Sequence, residues 1–183
     1  MLKKSKYPIR DSRRIFEYKG LSIEWNAVYE MVSKLASLTK KFLAQNPDNE
    51  TYQFIRTRGL RSLIRYTMDY CGEKHGYYIS KNALLEFEKS GKIIWGSKMA
   101  YYMEHLIPVD QCANDILKNP DIDNVKSLYD EQRIVIMLRK EKNDYEGKDS
   151  PFGKDFKKYR TEKEIEQFIN RYKISKFKEV GLT

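Results

Sequence analysis

The densest chemistry at the shortest spacing lies in Tyr101-Tyr102-Met103-Glu104-His105-Leu106-Ile107-Pro108, which sets a carboxylate beside one of only two histidines in the chain. A carboxylate offers a hard oxygen to a divalent cation, and a neutral imidazole takes a proton from water near pH 7. The pair therefore suits a metal-held, base-activated hydrolysis. A local alternative stays open, with His105 a buried imidazole bonded to a backbone carbonyl and Glu104 a surface carboxylate paired with a lysine. Strict strand alternation sends adjacent residues to opposite faces, so a shared site requires the backbone to twist or leave the strand here.

The elements that must position the pair follow in order. Val109 to Lys118 and Asp123 to Tyr129 read as two short helices split by Asn119-Pro120-Asp121. Arg133-Ile134-Val135-Ile136-Met137-Leu138-Arg139 is the most strand-like run, β-branched inside and charged at both ends. A polar segment, Lys140 to Lys148, comes next and carries Asn143 in a position to begin a helix.

Over residues 101 to about 150 this order resembles the HNH nuclease family, whose ββα-metal fold ends its first strand in an acid-His pair followed by proline. The resemblance rests on Glu104-His105-Leu106-Ile107-Pro108 and on Lys142-Asn143 with Gly147-Lys148; Gln132 or Arg133 stands where the family has a middle asparagine. It implies that Glu104 and Asn143 hold Mg²⁺ (or Mn²⁺), that His105 is the catalytic base, and that Arg133 or Lys148 stabilises the transition state. DNA is then the favoured substrate over RNA.

Upstream, Trp25, Val28, Met31, Val32, Leu35, Leu38, Phe42 and Leu43 recur at spacings of three and four, the pattern of a helix with one buried face. Gln45 to Asn49 ends it around Pro47. A second helix is expected from about Glu50 to Tyr70, weakened at Gly59. It carries Arg56, Arg58, Arg61 and Arg65, the densest guanidinium cluster in the chain and a candidate nucleic-acid backbone contact. Their alternative role is to pair with Glu50, Asp69 and neighbouring carboxylates. Cys71 to Gly76 reads as a glycine-bounded loop, and its Cys-x3-His spacing lacks the second ligand pair that zinc needs. Ser80 is a plausible N-cap for a helix stopped by Gly91, and Lys92 to Gly96 reads as a short strand or turn.

After Ser150-Pro151-Phe152-Gly153, Thr161 with Glu164 forms a capping box for an amphipathic helix to Tyr172. Lys154, Lys157, Lys158 and Lys163 make a second basic patch there. The 183 residues carry a net charge of +9 with pI near 9.3, which favours a polyanionic partner. Two cysteines give no disulfide scaffold, and no run approaches the roughly 18 apolar residues of a membrane span, so we expect a cytoplasmic protein without a membrane partner.

These readings give one α+β, mostly helical domain over 1–183. It comprises a basic arm at 1–20 with a short strand at Ile15 to Tyr18, a helical portion at 21–100, an HNH-like ββα unit at 101–150, and a C-terminal helix and tail at 151–183. The expected function is metal-dependent phosphodiester hydrolysis. The alternative is a non-catalytic basic nucleic-acid-binding or protein-binding factor, of a kind suited to a phage or mobile element.

Overall fold

The computed structural model describes residues 23–91, 100–147, 150–153 and 155–177. The basic arm, the segment Lys92 to Gly96, Lys148 and Lys154 lie outside these residues.

The expected long helix is α1 (Trp25–Gln45), which buries Tyr29, Val32, Ala36 and Thr39. A second helical rod follows: α2 (Glu50–Phe54), a wide π turn over Ile55–Leu60, and α3 (Arg61–Met68). Asn49 caps it by accepting from the amides of Thr51 and Tyr52. The wide turn falls where the Thr57 hydroxyl donates to the Gln53 carbonyl and where Gly59 loosens the backbone. In place of the expected loop comes a short helix, α4 (Cys71–His75), stopped by Gly76 at φ 82°. Gly72 in α4 has a packing reason, since any Cβ there would strike the Tyr77 ring. A strand missed in the sequence, β1 (Tyr77–Ile79), leads through the Ser80 cap to α5 (Lys81–Ser90), which ends at left-handed Gly91.

Then come β2 (Tyr101–His105), α6 (Val109–Lys118), α7 (Ile122–Glu131), β3 (Ile134–Leu138), α8 (Arg139–Glu146), α9 (Glu162–Tyr172) and β4 (Ser175–Lys176). Over the described residues the architecture is α+β, about 65% helical, with one small sheet of strand order β2-β3-β1-β4. β3 pairs antiparallel with β2 and parallel with β1.

All five residues of β3 are buried, because helices cover both faces of the sheet. Ile134 joins the core of α1, α3, α6 and α7, while Ile136 and Leu138 join Ala83 of α5 and Phe177. Val135 and Met137 point the other way, into an aromatic core of Tyr145, Phe156, Phe168 and Tyr172. The start of α8 is tied to the β1–α5 junction by buried Glu141. Its carboxylate accepts from the Ser80 hydroxyl at 2.6 Å, the Leu138 amide at 2.8 Å and the Asn82 side chain at 3.0 Å. No helix among the described residues is long and apolar enough to cross a membrane.

Candidate functional site

Sheet register decides what Glu104 and His105 can share. Glu104 pairs with Val135 and His105 with Ile134. The strand stays regular, so the two side chains leave on opposite faces.

Glu104 points toward the aromatic core, where it meets Arg160 from the segment before α9. Arg160 is buried, and each of its guanidinium nitrogens has a partner. Nη2 donates to Glu104 Oε1 at 2.5 Å, Nη1 to the carbonyls of His105 and Leu106 at 3.0 Å each, and Nε to the Phe156 carbonyl at 3.1 Å. Rings wall the cation, with Phe156 at 4.3 Å, Phe168 at 4.9 Å and Tyr145 at 5.7 Å from the guanidinium carbon. Gln111 of α6 clasps the Arg160 main chain, accepting from its amide at 2.8 Å and donating to its carbonyl at 3.1 Å. Burying two charges is costly unless hydrogen bonds compensate, and here four bonds engage all three guanidinium nitrogens. Burial, together with the Glu104 charge, pushes the ionisation of Tyr145 far above the ordinary phenol range. Glu104 is therefore neither an exposed carboxylate nor a lysine partner. It fastens the end of β2 to the segment leading into α9.

His105 faces the other core, and its Nε2 lies 3.1 Å from Oδ1 of Asp69, the residue after α3. Beyond it Gln132 braces the turn toward α6, accepting from the Ile107 amide at 3.1 Å and donating to the Ile107 carbonyl at 2.8 Å. Arg133 closes the end of α7 by donating to the carbonyls of Asp130 and Gln132. Asn143 sits exposed on α8. The inward face of that helix belongs to Glu141 and Tyr145, and a step of two residues from either turns Asn143 roughly 200° away.

Glu104, His105 and Asn143 thus occupy three separate places, and this donor set does not fit one shared Mg²⁺ or Mn²⁺ ion. Among the described residues no cluster of three or more His, Cys, Asp and Glu side chains could hold a metal ion.

The arginine cluster divides by partner. Arg61 forms an ion pair with Asp110 of α6, and Arg56 donates to Asn114 of the same helix at 3.1 Å. Exposed Arg58 and half-buried Arg65 have no ion-pair partner among the described residues. Neither Glu50 nor Asp69 pairs with any of the four.

The residues missed in the sequence are Arg160, Tyr145, Asp69 and Gln132 in their observed roles. The only advance signal was chemical: an arginine amid the aromatic spacing of Phe156, Tyr159 and Phe168. No family model, curated protein or solved structure matches the chain.

Proposed function

We propose that the chain is a nucleic-acid-binding protein that contacts phosphates through the outward side of the Glu50–Met68 rod. The observation that carries this reading is the division among the arginines: Arg56 and Arg61 are engaged with α6, while exposed Arg58 and half-buried Arg65 have no ion-pair partner among the described residues. A net charge of +9 adds long-range attraction for a polyanion. This reading is better supported than metal-dependent hydrolysis, because Glu104 is engaged by a buried arginine on the sheet face opposite His105. DNA is the first substrate to try. A reducing, cytoplasmic setting suits Cys71 and Cys112, which are unpaired and buried, with burial pushing both thiols up to about 12.

The test is fluorescence anisotropy of labelled 20-nucleotide DNA at low salt, using wild type and the Arg58→Ala/Arg65→Ala double variant. Two lost phosphate contacts are expected to weaken binding by about tenfold or more. Equal affinity of the two proteins, or no binding by wild type, would reject the reading.

A further inference from the structure

The wide turn in the helical rod has a geometric effect on the two most exposed aromatic side chains among the described residues, Phe54 at 64% and Tyr66 at 60%. In an unbroken α-helix a separation of twelve residues leaves two side chains about 120° apart around the axis. An i→i+5 turn takes up about one residue more than an α turn, so twelve residues count as about eleven and the offset falls to about 20°. The same count puts Ile64 about half a turn from Phe54, and Ile64 is fully buried. The π turn over Ile55–Leu60 therefore brings Phe54 and Tyr66 onto one outward stripe, with Arg58 between them and Arg65 on the flank beside Tyr66.

We infer that this stripe is a stacking platform for single-stranded nucleic acid, an inference that rests on the nucleic-acid-binding reading above. Leaving two large apolar rings in water has a binding logic when their faces can take unpaired bases, and guanidinium groups beside them can take the phosphates between. At 1.5 Å for each of about eleven α-helical equivalents, the two rings stand about 16 Å apart along the rod. Neighbouring bases in a strand of duplex step by only about 3.4 Å. One strand therefore reaches both rings with non-adjacent bases, which must be turned out of any stack. A duplex keeps its bases paired and can offer this stripe only its phosphates.

The experiment compares wild type, Phe54→Ala/Tyr66→Ala and Phe54→Trp/Tyr66→Trp for binding to oligo(dT) 20-mer, oligo(rU) 20-mer and a 20-base-pair DNA duplex. Wild type is expected to prefer the single strands, and the alanine pair to lose about tenfold for each ring on them. Duplex affinity and salt dependence should hold, and the tryptophan pair should keep the preference. The two single strands report whether the sugar matters to the same platform. A wild type that favours the duplex, or an alanine pair that leaves single-strand affinity unchanged or lowers both forms equally, overturns the stacking platform alone. Absence of binding to all three probes by wild type overturns the underlying nucleic-acid reading as well. Both positions are exposed, so thermal melts of the variants should match wild type.

Discussion

Arg160 and the pair Arg58 and Arg65 are the same residue type in two opposite situations. Arg160 is sealed under Phe156 and Phe168, with every guanidinium nitrogen matched to a carbonyl or to Glu104. On the helical rod Arg58 is exposed and Arg65 half-buried, next to the exposed rings of Phe54 and Tyr66. The contrast shows that a basic composition is not itself a binding surface. A cation enclosed by acceptors serves the fold, and only one that still faces water can take a phosphate.

That contrast can be broken or sharpened in order of expected effect. Arg160→Ala leaves Glu104 buried beside an emptied aromatic box, and urea unfolding should show a loss of about 3 to 5 kcal/mol; a loss below about 1 kcal/mol would mean that the pair is not structural. Glu141→Ala strands the Ser80 hydroxyl and the Leu138 amide, and the same assay should register about 2 kcal/mol. His105→Ala should leave nucleic-acid affinity unchanged, since His105 faces Asp69 inside the α1–α3 side of the core; a substantial fall would reassign it to the interface.

The smallest expected effect is a pH slope. Burial, then the charges of Lys74 and Arg133, hold the His75 imidazole below its ordinary 6.5. Its contribution to stability is present above pH 6.5 and is lost as pH falls toward and through the lower folded value, because the unfolded chain takes up the proton more readily. Melts of His75→Gln between pH 7.5 and 5 should be flatter than those of wild type.

Much of the scaffold was legible in advance. The α1 spacing, the Ser80 and Thr161 caps, the Gly91 stop and the β-branched run in β3 are local signals, and local hydrogen bonding and burial executed them. β1 escaped because three residues are too few for alternation to register. The π turn escaped because Ile55–Leu60 shows nothing beyond a glycine to distinguish it from ordinary helix. The candidate site was legible only as residue types. Glu104 and His105 were visible as neighbours, but their separation followed from a regular strand. Arg160, 56 residues away in sequence, decided what Glu104 does. Four arginines were visible as a cluster, yet which of them stayed available depended on Asp110 and Asn114 of a distant helix.

The most direct test of the central claim is the slope of log affinity against log salt for single-stranded DNA, measured with wild type and the Arg58→Ala/Arg65→Ala variant. Each phosphate contact on a single strand contributes about 0.7 to that slope, so the variant should be shallower by about 1.4. Parallel lines for the two proteins would contradict a phosphate-binding role for the pair.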